Sequence, residues 1–275
     1  MLARAEEELG FNLFDRVKGK LVPTPEANGL FSHALAVYDS VDRLRHVAEN
    51  LRTAEQGGIR IAATPAFGID LLPRAIASYR QEHDRIVFRV ETLHHDEICR
   101  ALLESRIDFG LAFEPILPAG VVGEFIARGN FVALTPSGMD FGSKRALGIE
   151  DLAVHPFIKL DGRGPLGRLL SNYMESGTVE IKPVAYAETY HVAKSLVSHG
   201  MGVTIIDNIT ALSGNDDRVR VWPLDPPLNF RVSILRVDKT RLSIVCRNFV
   251  SHLQTQIVKF LGQSERQPAG RRKTG

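Results

Sequence analysis

The chain has 275 residues, 44% hydrophobic and 24% charged, a composition that supports one or two well-cored globular domains and excludes a fibrous or disordered polymer. Its formal net charge is +2, but the end from Gln263 contributes +3 (Arg266, Arg271, Arg272 and Lys273 against Glu265), so residues 1–262 carry −1. A body of that balance meets nucleic acid only through a local basic patch. No stretch approaches 18 uncharged apolar residues, which excludes a helical membrane span. The start, MLARAEEELG, has no apolar signal region, and there are only two cysteines, Cys99 and Cys246; both features point to the cytoplasm.

Residues 2–9, LARAEEEL, read as a short helix terminated by Gly10. The next segment, FNLFDRVKGKLVPTP, reads as two strands around a Lys18-Gly19 turn, with Arg16, Lys18 and Lys20 projecting. A helix followed by a basic hairpin is the closing half of a winged helix, although an ordinary solvated turn has the same charge pattern. From Thr24 a long helix follows. Thr24 can cap its first turn, Pro25 suits the first helical position, and Glu26 complements the positive end of the dipole. Ala27, Leu30, Ala34, Val37, Val41, Leu44, Ala48 and Leu51 alternate steps of three and four, a seam for a coiled-coil dimer. Such a helix is roughly 40 Å long. It would otherwise lie on its own domain, but Gly57-Gly58 releases the chain at once and nothing adjacent in sequence covers the seam.

The run EEELGFNLFDRVKGKLVPTPEA closely resembles the wing of LysR-type transcriptional regulators, through Leu9-Gly10, Leu13-Phe14, Arg16 and Thr24-Pro25-Glu26-Ala27 in matching order and spacing. The resemblance implies that residues 1–23 are the end of a recognition helix plus wing, that 24–56 form the linker and dimerisation helix, and that DNA is a partner. It also exposes a departure. About 30 residues of a ~60-residue helix-turn-helix module do not precede Met1. The expectation is a chain truncated in that module, by a late start assignment or in fact. Arg4, Arg16, Lys18 and Lys20 then remain for DNA, the last three suited to phosphates, which position a protein without reading sequence. DNA binding is accordingly expected to be weakened or lost.

After Gly57-Gly58, strands and helices alternate. Strands are predicted at 59–63, 86–91 and 107–113, with helices at 67–81 and 96–105, the pattern of a parallel sheet. Strands near 121–127 and 131–135 lead to a second set: strands at 157–160, 183–187, 202–206 and 219–223, and helices at 166–176 and 190–199. Residues 229–237 return, and a helix at 242–261 closes. Two lobes joined by two crossovers resemble the effector domain of the same family and periplasmic solute-binding proteins. The implied fold is therefore α/β: a partial winged helix, a long coiled-coil helix, and an effector domain at 57–262. Lobe 1 is expected at 57–134 and 235–262, lobe 2 at 135–234, and a disordered tail at 263–275.

Ligands of such sheets bind beyond the carboxyl ends of strands. In IAATPAFGIDLLP, Thr64 offers a hydroxyl, Pro65 holds the turn, and the N–H groups from Ala66 onward are expected to be free for an anion. In KLDGRGPLGRLL, Asp161 and Gly162 end a strand. Gly162, Gly164 and Gly167 spell GxGxxG, yet Pro165 removes an N–H from any phosphate cradle, so a dinucleotide site is rejected and no cofactor is expected. Thr189 and Tyr190 open a helix, where Thr189 serves as cap or ligand contact with equal reason. Phe113 ends the third strand with Glu114, and Thr204 follows Gly200-Met201-Gly202.

No nucleophile elbow, P-loop or HExxH occurs. His94-His95-Asp96-Glu97 lacks a helical i, i+4 histidine pair and reads as a polar helix start rather than a metal site. The function these features imply is non-enzymatic: a LysR-type regulator, dimeric or tetrameric, whose lobes close on a small anionic metabolite such as an amino acid or a derivative. The competing reading is a ligand-binding module without DNA activity, either a truncated regulator or a cytosolic solute-binding protein. The basic hairpin and the seam weigh against the solute-binding protein.

Overall fold

The computed structural model describes residues 2–52, 57–113, 116–161, 164–175, 179–214 and 216–264. The chain divides into two compact units, Met1–Arg52 and Thr53–Gly275.

In the first unit, α1 (Leu2–Leu9) ends at Gly10, whose φ of 78° closes the helix with an N–H bond to the Glu6 carbonyl at 2.9 Å. The Glu6 carboxylate reaches past this stop and accepts from the N–H groups of Leu13 (2.7 Å) and Phe14 (3.3 Å), fastening α1 to β1 (Phe14–Val17). β1 pairs antiparallel with β2 (Lys20–Pro23), and Val17 lies opposite Lys20. Two residues therefore make the turn, and both Lys18 (φ 52°) and Gly19 (φ 80°) take the positive φ that a type I′ hairpin requires. Thr24 then nucleates α2 (Pro25–Arg52): its hydroxyl accepts from the Ala27 N–H at 3.1 Å and donates to the Asn12 carbonyl at 2.9 Å.

The second unit begins with β3 (Gly57–Ala63), α3 (Pro65–Gly68), α4 (Leu71–Arg80), β4 (Ile86–Thr92), α5 (His95–Leu103) and β5 (Phe109–Phe113). β3 pairs in parallel with β4 and β5. All five residues of β5 are buried, as expected for a central strand covered on both faces. Two apolar clusters do the covering. α5 packs Ile98, Ala101 and Leu102 on one face; Leu72, Ala75 and Tyr79 of α4 join Phe249, Leu253 and Ile257 of α10 (Ile244–Ser264) on the other. A β-carbon on Gly110 would stand 2.3 Å from Ile98 Cγ2, so α5 sits directly on the sheet.

The chain leaves this lobe along β6 (Val121–Pro136) and returns along β11 (Asn229–Val237). β6 is one continuous strand, where two were expected. Its first part pairs antiparallel with β11 as far as Asn130, and from Phe131 it takes β9 (Thr204–Asp207) and β10 (Val219–Pro223) as partners. β11 also runs antiparallel to β5, so the sheet is mixed rather than parallel. The second lobe adds α6 (Ile149–Ala153), β7 (Phe157–Leu160), α7 (Gly164–Glu175), β8 (Pro183–Ala187), α8 (Tyr190–Ser198) and α9 (Asn208–Leu212), with β7 and β8 parallel.

Three further sequence expectations change. The helix expected at 67–81 is two helices, because Asp70 turns out of the helical path (φ −134°, ψ −60°); its carboxylate accepts from Arg74 Nε at 2.6 Å and from the Gly214 N–H of the second lobe at 3.3 Å. α6 and α9 were not anticipated. α9 follows β9 with no spacer, started by the Asp207 carboxylate accepting from the Thr210 N–H at 2.8 Å and ended by Lys194 Nζ donating to the carbonyls of Thr210 and Ala211 at 3.1 and 2.9 Å. The closing helix runs on to Ser264, past the expected boundary at 262, and the rest of the expected tail lies outside the described residues. No helix among the described residues is long and apolar enough to cross a membrane.

Candidate functional site

Described residues at or just beyond the ends of β3, β4, β5, β7 and β8 line a cavity of about 90 Å³ between the two lobes. Seven of the nine residues singled out from the sequence line it: Thr64, Pro65, Ala66, Phe113, Asp161, Thr189 and Tyr190. Gly162 lies outside the described residues, as do Arg163 and Glu114.

Thr64 directly follows β3, and its N–H donates to the Leu111 carbonyl at 3.1 Å, holding the turn against β5. Its side chain makes no capping bond, and Oγ1 is buried without a partner among the described residues. A buried hydroxyl without a partner costs free energy, on the order of 1–3 kcal/mol, that a ligand oxygen at that position can recover. The backbone beside it differs from expectation. The N–H groups of Phe67 and Gly68 already donate to the Thr64 carbonyl, at 3.0 and 3.1 Å, so the turn does not leave a row of free donors from Ala66 onward.

Phe113 forms part of an aromatic file beneath the cavity. Its ring centroid lies 4.4 Å from Phe67 and 4.9 Å from Phe230 of the returning strand. Phe230 meets Phe131 at 5.4 Å, and Phe131 faces Tyr190 at 6.4 Å. The file runs from lobe 1 through both crossover strands to lobe 2. Burial, helped by the negative Asp207, pushes the Tyr190 phenol well above its ordinary value, so it stays protonated. Thr189 caps α8, accepting from the Val192 N–H at 3.3 Å, and lines the cavity as well.

Thr204 does not belong to this site. It is fully buried, and its hydroxyl donates to the Ile158 carbonyl at 2.8 Å, stitching β9 to β7. The strand begins at Thr204 rather than at Gly202, and all four of its residues are buried.

His94 and His95, read from the sequence only as a polar helix start, line the cavity as well, beside Glu188 and the first turn of α7. His94 and His95 follow β4 as Thr64 and Pro65 follow β3, so their place beyond a strand's carboxyl end is the sequence signal that marks them. Among the described residues no group of three or more His, Cys, Asp or Glu could hold a metal ion. The described lining contains two carboxylates, Asp161 and Glu188, and no lysine or arginine.

The basic residues of the first unit are arranged differently from a single patch. Arg4 is exposed and ion-paired with Glu8 at 3.1 Å. The hairpin register sets Arg16 opposite Leu21 and Lys20 opposite Val17, which puts Arg16 and Lys20 on opposite faces with Lys18 at the tip. Of the seam residues, Ala27 is half-buried and Leu30, Ala34, Val37, Val41, Leu44 and Ala48 are exposed in the single chain, Val37 to 65% and Leu44 to 70%. The side chain of Leu51 lies outside the described residues.

A two-lobed α/β unit with a cavity at facing strand ends defines a binding domain for a small molecule. Residues 52–257 match the family model described as the LysR substrate binding domain. The chain is 37% identical over 257 residues to the HTH-type transcriptional regulator DgcR of Pseudoalteromonas sp, covering 94% of this chain and 88% of that protein. It is 25% identical to the transcriptional activator protein LysR of Escherichia coli strain K12, covering 94% and 84%. Its fold is similar to that of full-length CbnR complexed with its target DNA, with a TM-score of 0.68 and 16% identity over 92% of this chain and 87% of that one. The chain belongs to the LysR family of transcriptional regulators and carries that family's effector-binding domain.

Proposed function

We propose that this regulator is a coiled-coil dimer, assembling further into a tetramer, that senses a small carboxylate-bearing metabolite, an amino acid or a derivative, in the interlobe cavity. α2 supplies the dimer seam and the hairpin at Arg16–Lys20 contacts DNA phosphates. Effector binding shifts the population of lobe arrangements through its differential affinity for them, and so changes how paired hairpins grip DNA in the cytoplasm. The chain acts through binding and not through turnover. What supports the ligand reading above all is the buried, unpartnered Thr64 hydroxyl in a cavity lined from both lobes. The exposed apolar seam supports the dimer.

The test is thermal unfolding of the chain against a panel of amino acids, opine-like conjugates, and aromatic and aliphatic carboxylates. A true effector at 100 times its dissociation constant adds about 2.7 kcal/mol of stability. Thr64→Ala is expected to weaken that ligand about tenfold, the loss of one hydrogen bond to a charged group. If no member of the panel shifts the transition, the small-carboxylate reading fails.

A further inference from the structure

The described lining of the interlobe cavity is predominantly apolar surface. Phe113 and Leu166 are each 5% exposed and Leu160 8%, and all three belong to the main apolar cluster, so the cavity borders the core of the domain. Phe113 comes from lobe 1 and rests on Phe67, with ring centroids 4.4 Å apart. Leu166 comes from the first turn of α7 in lobe 2. Most polar side chains around the cavity are already engaged. Asp161 and Glu188 each interact with other residues, Thr189 accepts from the Val192 N–H, and His95 Nε2 lies 2.8 Å from the Ile116 carbonyl oxygen. The Thr64 hydroxyl, by contrast, is buried without a partner among the described residues.

That balance sets the chemistry of an occupant. One polar end can meet Thr64, and the rest of the molecule meets apolar wall. A methylene placed there gains about fourfold in affinity. A hydroxyl or a second carboxylate in the same place gives up its hydration without an equal return, and affinity falls. Volume adds an upper limit. The cavity is about 90 Å³, whereas one of about 150 Å³ holds benzene. A short aliphatic body fits this space and a phenyl ring exceeds it.

We propose that the effector class is monocarboxylates with a short, branched aliphatic body, amino acids of that type included, and that Phe113 and Leu166 determine the permitted size, one from each lobe. Thr64 serves the carboxylate end. This inference rests on the interlobe cavity being the site of a small carboxylate.

Isosteric pairs test it, titrated calorimetrically into the full chain: 3-methylbutanoate with 3-hydroxybutanoate, 4-methylpentanoate with succinate, valine with threonine, and leucine with aspartate. An apolar pocket separates a methyl from a hydroxyl by up to about 100-fold, so the apolar member should bind about tenfold or more tightly than its isostere. Phenylalanine and 3-phenylpropanoate should bind the native chain about tenfold or more weakly than leucine and 4-methylpentanoate. Phe113→Leu and Leu166→Ala each open space from one side, and each should raise the affinity of the phenyl compound relative to its aliphatic counterpart by about tenfold. A general loss of stability does not move that ratio, and the pairs on the native chain stand without either variant. If the polar isosteres bind as tightly as the apolar members, the aliphatic class is overturned and the carboxylate cavity remains. If the phenyl compounds already bind the native chain as tightly, or neither variant moves the ratio, the size-setting role of Phe113 and Leu166 is overturned. Absence of binding by every compound removes the cavity reading and this inference with it.

Discussion

Asp207 joins β9 to α9 with no exposed surface, and burial pushes its carboxyl up from the ordinary 3.8 to about 6 against the opposing hydrogen bonds from Thr210 and Ile209. Because the folded value exceeds the unfolded one, the native chain holds an extra proton between about pH 4 and pH 6. The contribution of this group is fully present below about pH 4 and is lost as pH rises to about 6. Asp207→Asn keeps an oxygen to accept from the Thr210 N–H and has no charge to desolvate. Its advantage in urea unfolding should grow from near zero at about pH 3, through about 1 kcal/mol at pH 4.5, to roughly 3 kcal/mol at pH 8, two pKa units at about 1.4 kcal/mol each. A pH-independent difference would show that Asp207 does not titrate in this range. At the same scale, the reading of Thr64, Phe113, Thr189 and Tyr190 rested on each lying at a strand or helix end, which local sequence does reveal. The hydrogen bond of His95 depends on Ile116, 21 residues away, and the burial of Thr204 on Ile158, 46 residues away. No local pattern encodes either partner.

α2 is the element whose pattern outruns its contacts. Its apolar positions recur at coiled-coil spacing, yet in the single chain those side chains face outward. Exposing so much apolar surface is unfavourable, and the proposed dimer removes it. Leu44→Glu, at a position 70% exposed, should leave the chain folded while raising the dimer dissociation constant at least 100-fold, because facing carboxylates would be buried together at the seam. Sedimentation equilibrium checks this; an unchanged dimer would place the interface elsewhere. The split of the expected 67–81 helix belongs to this scale too. Its periodicity is continuous, but Asp70 finds an acceptor's role toward Gly214 in the other lobe and leaves the helix to perform it.

For the whole molecule, the charge arrangement bounds how DNA is held. The body is close to neutral, so in the proposed DNA complex the hairpins carry the electrostatic attraction. With Arg16 and Lys20 on opposite faces, each hairpin can present two cations to one phosphate backbone, Lys18 and one of the others. A dimer then neutralises about four phosphates, and the slope of log K against log salt should be about −3.6. Lys18→Ala should flatten it by about 1.8, since both hairpins lose a contact. Fluorescence anisotropy over a salt series measures both, and a slope unaffected by Lys18→Ala would move the DNA surface off the hairpin.

The sequence by itself determined most of the element order, the apolar spacing along α2, the two-residue hairpin turn and the strand ends that meet at the cavity, because helix and strand periodicities and turn chemistry are local and survive without neighbours; α6, α9 and the break at Asp70 escaped it. Only the tertiary structure decided that β6 is a single strand shared by both lobes, that the sheet is mixed, and which polar atoms remain unpaired. Those properties depend on pairing between residues far apart in the chain: β6 exchanges β11 for β9 and β10 at Phe131, and His95 finds its hydrogen-bond partner in a carbonyl on another loop. A hydrogen bond of that kind is invisible until the backbone has been folded around it.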